Sequence, residues 1–442
     1  QRQMCIRDSL SCLKESGQYD QVLRYASFYN ENSSRGGNGT LLSYITEACW
    51  TTERFDTLKD TLSDLSEESQ TDFNVGVARV LLAMQEKNQD AVSTMINKLR
   101  NVVVKGITSV SGSSLQACHD VLLKLHAVYE IGALSGAINV PVAQDSAATS
   151  ILAVMDKRLA VVGSYISDKQ YLLGIRRAVM RLSSVDFSNV SIGSSWLTSA
   201  RLARKTNVST VAHYAVLNAF NCGDDAAKIE HARLLWKDDQ HRQAIRSLEG
   251  AIASNTFATH DQKAVDTSNP EEAQLKQNML SARAHLLLAK WLDASGQTQA
   301  TKVVVKYQYA ARHYSRWEKG HYYLGKHYNM LLDASKTLPA HKQSDPYISG
   351  ELTKLVIENY LRSVPFGSKY WYQTIPKIIT LWLDLGMDCI QKTRNDAQSE
   401  VMAKRSTWLD AVHKQMKKYF DRIPPYIFYN ALPQMISRIT HP

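Results

Sequence analysis

One apolar spacing recurs along this chain and narrows its possible folds more than any other feature. It runs apolar, two residues, apolar, eight residues, small or apolar, three residues, apolar, two residues, small or apolar. The clearest copy is Ala232, Leu235, Ala244, Leu248 and Ala251. A second is Leu288, Trp291, Ala300, Val304 and Tyr307, and a third is Leu10, Leu13, Val22, Ala26 and Tyr29. A weaker copy follows Thr46, Cys49, Leu58, Leu62 and Leu65, and a partial one Leu82, Ala91 and Met95.

The spacing has a physical reading. Two apolar residues three apart share one face of a helix, and an i, i+4, i+7 set makes the stripe of a second helix. The eight residues between them hold a helix end and a polar turn, so the two helices fold back as a hairpin. Small residues such as Ala244 and Ala251 permit a close approach. A lone hairpin cannot bury its apolar face, so neighbours must stack. Val22, Leu58 and Ala91 lie 36 and 33 residues apart, close to the tetratricopeptide period of about 34. Leu324-Gly325-x-x-Tyr328 also fits a tetratricopeptide first helix. The expected fold is therefore all-α, a superhelical solenoid of tetratricopeptide/HEAT-like hairpins. An unrelated antiparallel bundle is the alternative that this spacing leaves open. Longer helices are predicted at 350–362, 371–391, 399–420 and 426–440, with loops at 33–39, 110–114, 140–146, 183–195, 254–270, 338–346 and 394–399.

Composition supports helices. Ten prolines and twenty glycines are few for 442 residues, which disfavours a many-turned β chain. The longest apolar run, 378–383, falls far short of a membrane span, and no membrane partner is expected. Six scattered cysteines show no paired spacing, which fits a reducing compartment without disulfides. Residues 1–9 read as a non-native scar, and the chain as an internal piece of a longer protein. Helical repeats are then expected over 10–190 and again over 191–442. Charge is uneven: residues 300–442 hold 21 Lys and Arg against 11 Asp and Glu, so the whole excess of +10 lies there.

A search for chemistry is mostly negative. The glycine cluster Gly36-Gly37-Asn38-Gly39 lacks the Lys-Ser/Thr partner of a phosphate loop and reads as a hairpin connection. His-Arg-Asp, Asp-Phe-Gly, His-Glu-x-x-His and G-x-S-x-G are all missing. His313, His321 and His327 do not share an i, i+4 face, so they read as partly exposed helix residues rather than metal ligands. No catalytic, cofactor or metal residue is expected. The stretch 307–328 interleaves Tyr, Trp, Lys, Arg and His. Such a pattern can bind single strands by stacking, but long basic side chains covering packed rings are the preferred reading.

The C-terminal half resembles a known family. Segments 196–205 (WLTSARLARK), 227–251 (AKIEHARLLWKDDQHRQAIRSLEGA), 317–328 (WEKGHYYLGKHY), 372–386 (YQTIPKIITLWLDLG) and 426–441 (YIFYNALPQMISRITH) are similar to the FAT domain of phosphatidylinositol-3-kinase-related protein kinases. The ATR-like checkpoint branch is the nearest in spacing, and roughly 190–442 carries the likeness. The resemblance implies the non-catalytic helical scaffold of a nuclear serine/threonine kinase that senses DNA damage and replication stress. Its partners would be its own kinase domain in cis, a second protomer and an ATRIP-like regulatory subunit, without direct nucleic-acid binding. ATP and Mg would belong to a kinase domain beyond residue 442, and this chain itself would hold no cofactor and be no enzyme. A free-standing peptide-binding scaffold and a helical nucleic-acid-binding protein are the alternatives.

Within that reading the helix at 372–390 stands out, because its apolar residues cover an arc of about 240°, against about 100° for a helix with one buried face. One side would pack on neighbouring repeats. Trp382, near the centre, is expected to be core, with Leu383 and Met387 at an edge that would meet the kinase domain; a helix of this same chain is the other candidate cover.

Overall fold

The computed structural model describes residues 2–32, 39–63, 72–109, 115–137, 147–163, 165–257, 270–392 and 399–437. Among the described residues every regular element is helical. Contacts divide the chain into two compact units, 1–240 and 241–442.

The first unit contains α1 (Arg2–Glu15), α2 (Tyr19–Asn32), α3 (Gly39–Thr51), α4 (Phe55–Ser63), α5 (Phe73–Gln85), α6 (Gln89–Ser109), α7 (Leu115–Leu134), α8 (Ala147–Val161), α9 (Ile166–Leu182), α10 (Asn189–Lys205), α11 (Ser209–Asn221) and α12 (Ala226–Lys237). Most consecutive helices pair as antiparallel hairpins, and α3 packs on both α1 and α5. The turns share a chemistry. Gly17, Glu53, Lys87, Asn207, Gly223 and Asp239 all have positive φ. The residue after each returns its N–H to a carbonyl five residues back, as in Gln18 to Leu13, Arg54 to Cys49 and Asn88 to Ala83. This left-handed C-terminal cap satisfies helix-end carbonyls and reverses the chain within three residues. Gly17 could hardly be another residue: φ is +71° and an added Cβ would meet Val211 Cγ2 at 2.0 Å.

Helix α9 breaks the simple hairpin order. It packs on α3, α5, α7 and α10 together, and its residues 172–180 are all buried. It therefore serves as a central post for the hairpins around it.

The second unit contains α13 (His241–Ala253), α14 (Pro270–Ser295), α15 (Ala300–His313), α16 (Glu318–Thr337), α17 (Asp345–Ile348), α18 (Glu351–Ser363), α19 (Trp371–Lys392), α20 (Ser399–Phe420) and α21 (Leu432–Ile436), with 3-10 turns at Ala340–Lys342, Val364–Phe366 and Pro425–Ala431. Helices α13 to α16 pack in chain order, α16 continues onto α18, and α18 meets both α19 and α20. Gly325 of the Leu-Gly-x-x-Tyr element explains the close α16–α18 approach, since a Cβ there would stand 2.7 Å from the Tyr360 ring. Each unit is thus a stack of antiparallel helical hairpins, the architecture of a helical-repeat solenoid.

Several expected boundaries shift. The predicted helix over 426–440 is instead a 3-10 stretch, Pro425–Ala431, followed by the short α21. Pro424, Pro425 and Pro433 cannot donate hydrogen bonds, which prevents one continuous α-helix there. The expected loop at 338–346 carries a 3-10 turn and the start of α17, while the loop at 183–195 ends as early as Ser188, which caps α10. The loops at 110–114 and 140–146, most of those at 33–39, 254–270 and 394–399, and the ends of the resemblance at 438–441 lie outside the described residues. Residues 2–9, read from sequence as foreign, lie within α1.

Candidate functional site

Among the described residues no group of three or more His, Cys, Asp or Glu could hold a metal. Gly36, Gly37 and Asn38 lie outside the described residues, and Gly39 opens α3. The histidines of 313–327 point to separate partners. His321 is buried and its Nε2 pairs with the Ser315 carbonyl at 2.8 Å. His327 is buried against Tyr307, 5.1 Å between centroids, with Asp293 at 3.5 Å. His313 is exposed and stacks on His285 at 5.2 Å. The expectation of partly exposed residues therefore fails for His321 and His327. Helix α16 packs on α14, α15 and α18 at once, so even its polar positions enter the core. Burial holds the His321 imidazole below its usual pKa, with the Ser315 carbonyl opposing and the charge of Arg362 adding to the depression.

The repeat positions separate into those at the core and those near it. Ala232, Ala244, Leu248, Ala251, Leu288, Trp291 and Tyr307 are buried. Leu235 and Val304 are half-buried and Ala300 is exposed. In α15 the buried stripe is Val303, Tyr307, Ala310 and Ala311. In α6 it is Val92, Ile96, Leu99 and Val103, one residue beyond Ala91 and Met95, which are half-buried. The eight-residue gap reaches the first turn of the second helix, whose opening residue still faces water. Leu65 and the side chain of Tyr29 lie outside the described residues. The copy from Ala232 to Ala251 straddles the boundary between the two units.

The proposed docking helix is α19, which meets α18, α20 and the 3-10 stretch Pro425–Ala431. Trp382 is half-buried, edge-on to His413 at 5.7 Å and 6.4 Å from Phe420, both on α20. Leu383 is half-buried and packs on the core, and Met387 is half-buried as well. Gln434 of α21 donates to the Pro376 carbonyl at 3.2 Å and to the Thr380 hydroxyl at 2.6 Å, tying α21 to α19. Arg405 of α20 donates to the Ile348 carbonyl at 2.6 Å and to Asp388 at 3.3 Å, so one guanidinium joins α17, α19 and α20. Tyr372, Tyr426, Tyr429, Leu432 and Ile436 remain exposed around this layer.

A second feature escaped the sequence reading. Two adjacent arginines at the middle of α9 hold opposite neighbours. Arg176 forks onto both oxygens of Glu130 in α7 at 3.0 and 3.1 Å, and also reaches Asp156 and the Met155 carbonyl of α8. Burial disfavours its charge, yet Glu130 and Asp156 outweigh that and raise its pKa. Arg177 lies 3.7 Å over the Trp196 ring of α10 and donates to Ser199. Complete burial brings its guanidinium down to about 10. Lower in the unit, buried Glu47 takes Lys14 at 2.8 Å, and burial raises its carboxyl pKa against the pull of Lys14 and Asn74. Buried Glu230 of α12 gathers Arg204 at 2.5 Å, Arg233 at 3.2 Å and Arg201 at 3.9 Å. Two consecutive arginines inside the apolar run 171–180 were the available signal.

Comparison with known proteins fits this scaffold-like picture. The profile of the FAT domain matches residues 42–380, starting well before the region where the motifs were recognised. Protein kinase rad3 of Schizosaccharomyces pombe is 28% identical over 443 residues, covering 98% of this chain and 18% of that protein. Serine/threonine-protein kinase MEC1 of Kluyveromyces lactis is 27% identical over 83% of this chain and 15% of its own length. Serine/threonine-protein kinase ATR of Arabidopsis thaliana is 26% identical over 85% and 15%. The chain thus spans less than a fifth of these relatives. A solved circular tandem repeat protein aligns at 12% identity over 97% of this chain and 90% of its own, with a TM-score of only 0.19. No helix among the described residues is long and apolar enough to cross a membrane. With its helical hairpins and the profile match across most of its length, this chain belongs to the FAT domain family, and it corresponds to the non-catalytic FAT region of ATR, MEC1 and rad3-like kinases.

Proposed function

We propose that this chain is the FAT scaffold of an ATR-like serine/threonine kinase of the DNA-damage and replication-stress checkpoint. It holds and regulates the kinase domain of the same polypeptide in the nucleus, and ATP and Mg bind to that domain. A second protomer and an ATRIP-like regulatory subunit complete the assembly. The observation that carries this reading is the likeness to rad3 across 98% of the chain. The cross-tied layer of α19, α20 and α21 supports a transmitting role, because Gln434 and Arg405 couple these helices by direct hydrogen bonds.

The docking edge in this proposal is Leu383 and Met387, beside the anchor Trp382. Met387→Gln is expected to leave the melting temperature of this chain nearly unchanged, and Leu383→Ser, which loses part of a core contact, to lower it modestly. Both are expected to lower kinase activity in the full-length protein. Unfolding of the chain by either substitution would make that edge internal core and sink the docking assignment. Full activity with an unaltered fold would place the kinase contact elsewhere.

A further inference from the structure

Several ammonium groups converge on one tyrosine in the second unit. The Nζ of Lys290 in α14 lies 4.2 Å from the centroid of the Tyr323 ring, and those of Lys319 and Lys326 in α16 lie 6.0 Å away. Lys369 stands 5.8 Å from the centroid of Tyr370, whose ring meets Tyr323 edge-on at 6.2 Å. Four cations thus share two adjoining rings. Attraction to the ring faces offsets part of their mutual repulsion, and Glu318, whose carboxylate accepts from the Tyr370 backbone N–H at 3.1 Å, adds one opposing charge. Lys326 and Lys369 are exposed, and among the described residues no carboxylate pairs with either. At Tyr323 burial would raise the hydroxyl pKa, but the hydrogen bond and charge of Lys290, with Tyr370 and Lys319, lower it on balance. At Tyr370 burial, Tyr323, Tyr322 and Glu318 raise it, so the positive field is strongest at Tyr323.

The rings themselves are taken. Tyr370 stacks on Tyr322 at 3.8 Å, and both are buried. Base stacking requires an open ring face, and these two rings offer none. The cations are also lysines, point charges without the planar fork that suits one phosphate. Charges spread around two rings match carboxylates spread along a peptide.

We propose that Lys290, Lys319, Lys326 and Lys369, set around Tyr323 and Tyr370, form a docking site for an Asp/Glu-rich peptide segment of a partner protein. The partner is defined by charge complementarity: residues 300–442 hold 21 basic against 11 acidic residues, and three of the four lysines belong to that excess, Lys326 and Lys369 at exposed positions. The site is separate from the proposed kinase-docking edge and does not depend on it.

The test uses this chain with a fluorescein-labelled glutamate-rich peptide, read by fluorescence anisotropy. Binding that weakens as salt rises is expected. Lys326→Glu combined with Lys369→Glu should weaken it roughly tenfold with little change in melting temperature. Lys326→Gln with Lys369→Gln serves as the milder pair should the reversal disturb folding. Lys414→Glu with Lys417→Glu, on exposed positions of α20, should leave binding nearly unchanged. The proposal is overturned if the parent chain does not bind, or if the α20 pair weakens binding as much, which would show a general charge effect. Tighter binding of a single-stranded oligonucleotide through the same lysines would also overturn it, making the surface one for nucleic acid.

Discussion

The two units bury polar groups in different ways. The first places whole charges inside: Glu47, Glu130, Arg176, Arg177, Asp224 and Glu230 are all buried. The second buries rings instead, with His285, His321 and His327 among its buried polar residues and Arg405 as its one buried ionic side chain among the described residues. Tyr322, Tyr360 and Tyr370 stack at its centre. A buried charge requires a partner at a fixed place and direction, because an unpaired one is strongly destabilising. A stacked ring tolerates more sliding, since the burial of its apolar surface is non-directional and both offset-stacked and edge-on arrangements are favourable. Unit one is therefore held by point-to-point ties around α9, and unit two by a continuous ring layer through α16 and α18.

The largest expected effect tests those ties. Arg176→Ala strands Glu130 in the core and should cost about 3–5 kcal/mol in chemical denaturation. Arg176→Met with Glu130→Leu removes both charges and should recover most of that loss. A small loss for the single change would mean that water reaches Glu130, and the contrast between the units would weaken.

The next effect belongs to a buried ring of the second unit outside that layer, His285 of α14, and is read in acid. Burial, with the charges of His313 and Lys306, pushes the His285 imidazole down to about 4. Its folded pKa is below the unfolded value of about 6.5, so in between the unfolded chain binds the proton and the folded chain does not. Stability should then fall as pH drops from about 6.5 to about 4, by up to about 3 kcal/mol from this group. His285→Phe should remove that part of the slope in melting curves taken across the range. The carboxyl of Glu47 shifts upward, so its contribution runs the other way, being greatest in acid and lost as pH rises above the ordinary carboxylate range. A slope unchanged in His285→Phe would mean that this ring is not kept neutral by burial.

The smallest effect should be indifferent to the comparison, because turn chemistry is common to both units. Lys87 holds φ at +56° between α5 and α6. Lys87→Gly relieves that conformation and should stabilise the chain by about 0.5–1 kcal/mol. A destabilised variant in thermal melts would show that the lysine side chain contributes more than its backbone strain costs.

How much of this was legible beforehand can be judged from particular elements. The helices predicted at 350–362, 371–391 and 399–420 agree closely with Glu351–Ser363, Trp371–Lys392 and Ser399–Phe420. Their apolar periodicity is local, and local patterns survive packing. The small residues at 232, 244 and 251 are buried. Ala227, outside the repeat spacing, is just as fully buried, so the spacing marks only part of the tight packing. The register in α6 and α15 moved because the position of the first buried residue depends on where a turn releases the chain.

The sequence alone determined that this chain is helical, that its helices pair as hairpins and that it resembles FAT regions, since each follows from short-range periodicity or contiguous motifs. Tertiary structure alone decided that α9 becomes a post among α3, α5, α7 and α10, and that Arg176 and Arg177 turn to opposite neighbours. It also decided that lysines 36 and 79 residues apart, Lys326 from Lys290 and Lys369 from Lys290, gather at two touching rings. Periodicity fixes which face of a helix is apolar, but the partner that covers it is chosen by three-dimensional packing over distances that no local pattern records.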